Sequence, residues 1–597
     1  MKNPKDDEDG KDVTTNALDR RQFGRIVAGG IGGLTLGAVA GAQEVKPPEP
    51  SSKPPAKSSR GTTHPVHNAV VVGAGLSGLI AARELIRAGW TVDILEANDR
   101  IGGRMYGRGT IEGGYLDFGG QWVGDTQYEM QALVKELKIT PFNSYEKGRS
   151  IQLTGGNRTI FNGDVSALLD GRCDPHHPPA DPAHCNDGTL GACVKDPQEG
   201  AVWGELLKKS GTVIPDRPWA THDARDMDTR TFEKSLKGWA EELMPGRTPW
   251  LPDFQAHIGG AGGFEPGQVS ELHMAWTQRV SPQSETPEKW LLCGGAGQIP
   301  GKLRKELEAA GCRFHLNSEV KVIVQQDERM QVSTQKETLM GRAVIVAIPP
   351  ALRQKITYFN QSKLMNDERY REAYGDAYTK HMKFSEGAPM GSMAKVHAVY
   401  EEAFWRKDCL SGSTIAPLGL KDDDPHYCQF VADSSPPGNK PGILTSFIAA
   451  DRNVELTKEL AKEHPGYTDE QLACVVKERV LEDFYRYFRD TRIKTDVKDF
   501  VYYNWNTKQF TGGAFTAYLT PGTWTTWAEV GWREPLGDIF WAGTETADRW
   551  PGFFDGAIRA GKAAASRVLA KWSWPREDDV EEACTPSEPG KINTCKA

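Results

Sequence analysis

Gly73-Ala74-Gly75-Leu76-Ser77-Gly78 sets three glycines at the spacing that suits the diphosphate of a dinucleotide. Gly73 permits a tight turn, Gly75 lets bare backbone approach the phosphates, and Gly78 lets helix and strand pack closely. The phosphates would then face a helix start beside Ser77, where free N–H groups and the helix dipole favour anions. Glu96 stands 18 residues beyond Gly78, where an acid accepts hydrogen bonds from a ribose. Three elements must hold these groups. Residues 69–72 (AVVV) read as a buried parallel strand, Leu79–Ala88 as a helix stopped by Gly89, and Thr91–Leu95 as a second strand. This unit alone does not choose between a flavin and a nicotinamide dinucleotide.

The following residues narrow the choice. Glu96-Ala97-Asn98-Asp99-Arg100-Ile101-Gly102-Gly103-Arg104 resembles an extension found in the flavin-containing amine oxidase family, which includes monoamine oxidases and L-amino-acid oxidases. The resemblance implies FAD, with Glu96, Ala97, Gly103 and the Arg104 guanidinium near its ribose and pyrophosphate. Asp117-Phe118-Gly119-Gly120-Gln121-Trp122-Val123-Gly124 resembles the family's loop beneath the flavin ring. Gly120 and Gln121 would pack against the flat cofactor, and Trp122 would also border the substrate cavity. Gly294-Gly295-Ala296-Gly297-Gln298-Ile299-Pro300 and the strand position Val320, on the adenine side, continue the likeness. Residues 538–570 resemble the C-terminal FAD motif of monoamine oxidases, with Gly543 and Glu545 turning over the ribityl chain and Gly552 and Phe553 preceding a helix from Phe554. The likeness spans about residues 68–570.

The same resemblance assigns the reaction centre. Lys395, in Met393-Ala394-Lys395-Val396, matches a lysine that lies close to the flavin N5 atom and is implicated in the reaction of reduced flavin with oxygen. Trp505 would pack at the edge of the ring. Ala514 stands where mitochondrial-type monoamine oxidases carry the cysteine that binds flavin covalently, so FAD is expected to be non-covalent here. Phe515 and Phe553 match two tyrosines that cage the substrate amine, and Trp550 would add to that wall. The implied reaction is oxidation of an amine by hydride transfer to the flavin, giving an imine and then a carbonyl compound, with O2 reduced to hydrogen peroxide. The alternatives are an L-amino-acid oxidase, a dehydrogenase using another acceptor, and a flavin-loaded binding module. An amino acid would need a guanidinium for its carboxylate. The loop after Gly120 has Gln121-Trp122 instead, leaving Arg217, Arg225 or Arg279 to enter from the other domain.

The expected fold is α/β: a Rossmann-type FAD-binding domain with a discontinuous α+β substrate-binding domain. The first combines residues 66–150, 290–360 and 535–575. The second combines 151–289 and 361–534, with a Cys/His/Pro-rich insertion near 170–200. Residues 576–597 form a polar tail.

Chain length and composition agree with a globular protein of two or three packed units, with 38% hydrophobic and 25% charged residues among 597. A net charge of −8 without a basic stripe argues against a nucleic-acid partner. Residues 1–42 combine Arg20-Arg21-Gln22-Phe23 with a modest apolar run and small residues at Ala38, Ala40 and Ala42. That pattern resembles a twin-arginine signal peptide, so the expected destination is the periplasm or the exterior, reached through the twin-arginine export machinery. The apolar run is too short for a stable membrane span, and residues 43–66 read as a Pro/Ser-rich linker. Ten cysteines fit an oxidising compartment. Cys584 with Cys595, and a pair among Cys173, Cys185 and Cys193, are disulfide candidates, and no spacing implies a metal site. A homodimer would be ordinary for the family.

Overall fold

A five-stranded parallel sheet carries the nucleotide motif at its centre. Its order is Ile539–Trp541, Ala343–Val346, Asn68–Val72, Thr91–Leu95, Arg313–His315. The five strands come from three stretches of chain far apart in sequence. Ala69 and Val71 point to one face, where they meet Leu79, Leu85 and Ile345 and the helix residues Ile558 and Val568. Val70 and Val72 point to the other, against Val320, Ile323 and Val332 of a four-stranded sheet. Burial on both faces is why the run 69–72 is apolar without alternation. Each fully buried valine or isoleucine contributes roughly 1.5–3 kcal/mol.

The helix after the glycine turn spans Leu76–Arg87 and starts three residues earlier than its sequence pattern suggests. Gly78 weakens any propensity-based reading of that turn. Tertiary packing overrides it: the Leu79 N–H already bonds the Gly75 carbonyl at 3.0 Å. The helix Phe554–Ser573 lies against it so closely that a methyl on Gly561 would come within 2.4 Å of the Ser77 carbonyl oxygen.

A seven-stranded sheet forms the second half. Its order is Asp499–Asn504, Met393–Tyr400, Gly442–Ala449, Phe430–Asp433, Leu410–Ile415, Arg149–Thr154, Asn157–Asn162. On the Met393–Tyr400 strand, Ala394, Val396 and Ala398 face a core shared with the helix Asp469–Phe488. The pleat therefore turns Lys395 and His397 the opposite way. Helices including Phe232–Leu243, Glu271–Val280 and Thr523–Gly531 close the remaining side over an aromatic core. Trp276, Trp524 and Trp532 meet there, with the Trp524 ring 5.0 Å from each of the other two.

The computed structural model describes residues 68–573, except 111–112, 155–156, 163–196, 247, 249–250, 282–287 and 417–425. The signal-type segment, the linker, the polar tail and Cys173, Cys185, Cys193, Cys584 and Cys595 lie outside the described residues. Among the described residues no helix is long and apolar enough to cross a membrane, and no group of His, Cys, Asp and Glu could hold a metal ion.

Candidate active site

Four turns open at the C-terminal ends of the parallel strands, at Gly73, Glu96, Ala347 and Gly543, the edge where α/β sheets bind ligands. They line a cavity together with Gly75, Ser77, Ala97, Gly103, Arg104 and Val320. The same cavity takes in Gly120, Gln121, Trp122, Lys395, Trp505, Phe515, Glu545, Gly552 and Phe553. Residues scattered over more than 470 positions of sequence thus share one space.

Gly78 and Trp550 stand outside that lining. Gly78 acts through packing, since its missing side chain admits the Gly73 carbonyl. Trp550 is fully buried, donates its indole N–H to the Thr126 carbonyl at 3.2 Å and packs edge-on against Phe553 at 5.0 Å. It backs the cavity wall from behind. Arg217, Arg225 and Arg279 do not reach the cavity, and Arg104 is the one arginine among its described lining residues. Arg104 forks onto Glu545 at 2.7 and 3.2 Å and also bonds the Phe515 carbonyl at 2.9 Å. Its remaining N–H donors are left for an anionic ligand.

Lys395 is held where the nucleotide half meets an aromatic chamber. Its ammonium donates to the Gly119 carbonyl at 2.9 Å and to the Gln121 side-chain oxygen. It also sits 5.1 Å from the centre of the Trp122 ring and 5.4 Å from that of Phe447. Burial pushes its pKa down to about 7, against the opposing pull of Asp117 and Glu288. Asp117 is near enough to act on it electrostatically. Its carboxylate accepts the Ala296 and Gly297 N–H groups at 2.8 Å each and so ties the two glycine-rich loops together. Burial nonetheless raises the Asp117 pKa, with those N–H groups and Lys395 opposing the rise. Two residues along the strand, His397 bonds the Asp117 carbonyl at 3.0 Å and the Thr445 hydroxyl at 2.9 Å. Burial holds His397 neutral. It therefore braces the loop under Lys395 without adding charge.

Trp505 donates its indole N–H to the Phe118 carbonyl at 2.9 Å, fixing that loop from the far side. Phe447 sits opposite Lys395 in strand register and meets Phe515 edge-on at 5.2 Å and Phe430 face-on at 5.8 Å. Phe430, Phe447, Gln429, Tyr427 and Glu288 all line the cavity, and sequence motifs pointed to none of them. The only available signal for the phenylalanines was the period-2 pattern of their strands, which any sheet core shares.

The helix Leu76–Arg87 opens at Gly75 with no side-chain cap, and a methyl there would meet nothing within 4 Å. Its first N–H groups thus face open cavity, which suits a diphosphate. The Glu96 carboxylate is oriented by the Ala74 N–H at 2.8 Å and the Asn98 N–H at 2.9 Å, as a ribose acceptor must be. These residues fit FAD.

Comparison with known proteins agrees. Residues 76–569 match the family described as flavin containing amine oxidoreductase. An L-amino acid dehydrogenase of Synechocystis is 33% identical over 84% of this chain and 94% of its own. The flavin-containing amine oxidase A of Equus caballus is 28% identical over 86% of each chain. Cyclohexylamine oxidase from Brevibacterium oxydans superposes with a TM-score of 0.68 at 22% identity, over 85% of this chain and 100% of that one. Putrescine oxidase gives 0.66 at 22%, over 84% and 99%. The chain belongs to the flavin-containing amine oxidoreductase family, and it is an oxidoreductase acting on CH–NH2 donors.

Proposed function

We propose that this protein oxidises an amine at the carbon bearing nitrogen, with non-covalent FAD as the immediate acceptor and O2 as the final one. The observation that carries the reading is the placement of Lys395, buried between the nucleotide half and a chamber walled by Trp122, Phe447, Phe515 and Phe553. Gly75, Glu96, Arg104 and Glu545 would hold the cofactor, and Ala514 offers no thiol for a covalent link. Bound FAD supplies the two-electron acceptor. The chain supplies the rest. Aromatic faces receive the amine, and their low polarity favours its neutral form. The substrate loses a hydride from carbon and a proton from nitrogen. Water then converts the imine to a carbonyl compound and ammonia, while O2 takes up two electrons and two protons to give hydrogen peroxide.

The test is anaerobic bleaching of the purified holoenzyme by amines and L-amino acids, followed by readmission of air. Bleaching by amines, recolouring with peroxide, and release of all flavin on acid precipitation are the expected results. Flavin that stays in the pellet would overturn the non-covalent claim. Slow recolouring in air would point to another acceptor.

A second reading, oxidation of L-amino acids, draws on the Synechocystis relative and on one contact. Gln429 is buried in the cavity wall with its amide nitrogen unpartnered, and a carboxylate would satisfy it. Bleaching by L-amino acids alone selects this reading.

The Lys395 pKa gives the reaction a pH signature. Below about 7 the residue is an ammonium that opposes entry of a second cation; above it the repulsion is gone. The bleaching rate should rise with pH through an inflection near 7, and Lys395→Met should remove that inflection. A flat profile across neutrality in the native protein rejects the assignment. Linkage has the same sign. Between about 7 and the ordinary lysine value of 10.5 the unfolded chain holds a proton that the folded one does not, so this group's contribution to stability improves as pH rises across that window.

A further inference from the structure

We infer that Glu288 selects substrates that carry a second cationic group, an ammonium or guanidinium, at the end remote from the reacting carbon. The inference rests on the proposed oxidation of an amine in this cavity and names the kind of amine.

Among the described residues four glutamates line the cavity: Glu96, Glu288, Glu319 and Glu545. Three are engaged. Glu96 accepts backbone N–H groups of the nucleotide turn, Glu319 pairs with Lys321 at 2.7 Å, and Glu545 holds Arg104. The Glu288 carboxylate has no hydrogen-bond or ion-pair partner among the described residues; only its backbone carbonyl is used, by the Ser144 hydroxyl at 2.7 Å. A carboxylate kept half-buried without a cation is costly unless a ligand supplies one.

Its position is set by backbone. Trp290, two residues on, exchanges two hydrogen bonds with Val123 at 2.9 and 3.0 Å, and the strand Trp290–Leu292 pairs with Pro141–Asn143. Val123 directly follows Gln121 and Trp122, so this bridge fixes Glu288 beside the loop that carries the Lys395 contacts. Lys395 and Glu288 influence each other electrostatically yet form no ion pair. Lys395 is committed to Gly119 and Gln121 instead. Burial and the nearby Glu146 drive the Glu288 pKa well above the ordinary carboxylate range, a rise that an incoming cation reverses. The cavity that Lys395 and Glu288 share is also lined by apolar rings in mutual contact, Trp122, Phe430, Phe447 and Phe515. A methylene chain fits such walls, its reacting amine near Lys395 and its far cation at Glu288.

The experiment uses matched pairs that differ only in the distal cation: straight-chain diamines against n-alkylamines of equal length, and L-lysine against L-norleucine. Dissociation constants come from perturbation of the oxidised flavin spectrum, and reduction rates from anaerobic bleaching. In the native holoenzyme the dicationic member of a pair should bind at least about tenfold more tightly. Glu288→Gln should collapse that ratio to near one. Glu288→Lys should invert it, favouring an amine with a distal carboxylate. Flavin content and melting temperature show that both variants are folded. Equal binding within pairs, or a preference that survives Glu288→Gln, overturns the inference and leaves the amine-oxidation reading intact. A preference abolished by Glu288→Gln in complexes that never bleach upholds the role of Glu288 and overturns the reaction.

Discussion

Lys395→Met should lower oxygen-dependent turnover on the order of a hundredfold, the scale on which loss of a positioned proton-handling group is felt, while flavin content stays near that of the native protein. Methionine matches the length of the lysine stem, and the cavity wall keeps its shape. The variant leaves the Gly119 carbonyl and the Gln121 side-chain oxygen without their donor, a cost of about 1–3 kcal/mol for each buried acceptor. It also relieves burial of an amine whose pKa is already pushed to about 7, and the two changes offset each other in part. Melting temperature should therefore move little compared with turnover. Stopped-flow traces separate the half-reactions: recolouring in air should slow far more than bleaching. Unchanged recolouring would remove Lys395 from the oxygen reaction.

Gly78→Ala and Gly75→Ala should both lose flavin but for different reasons, and only the first should lose stability, although both glycines belong to one motif. A methyl on Gly78 would lie 2.1 Å from the Gly73 carbonyl oxygen and 3.3 Å from the Ala347 side chain. Gly73 cannot retreat. Its N–H is bonded to the Leu95 carbonyl at 2.8 Å, and its φ of 101° with Ala347 O behind leaves no alternative path. The helix must therefore lift off the sheet, at roughly 1–3 kcal/mol or more, and flavin should be lost together with thermal stability. A methyl on Gly75 meets nothing within 4 Å, and its φ of −72° is ordinary for any residue. That variant should melt like the native protein yet lose flavin, because the methyl stands where the diphosphate must approach. Flavin absorbance and a thermal melt read both outcomes. Gly75→Ala with full flavin content would show that the cofactor takes another path past this turn.

The nucleotide half was legible because its chemistry is local. Gly73, Gly75, Gly78 and Glu96 fall within one strand–helix–strand unit, and the contacts that orient them, such as Ala74 N–H to Glu96, close over 22 residues. Lys395, Phe515 and Phe553 were legible through motif likeness, and strand alternation then accounts for the direction in which Lys395 points. What sequence alone could not decide is where distant segments meet. Arg104 finds Glu545 across 441 positions, and Lys395 finds Gln121 across 274. Trp550 reads as part of the wall but is turned behind Phe553 by its bond to Thr126. Glu288, Phe430 and Phe447 carry no motif, since their roles arise only when a β-bridge and a seven-stranded sheet bring them around Lys395. Short-range spacing encodes a turn that fits phosphate. A substrate chamber is a surface between elements, and its polarity and charge belong to the tertiary packing.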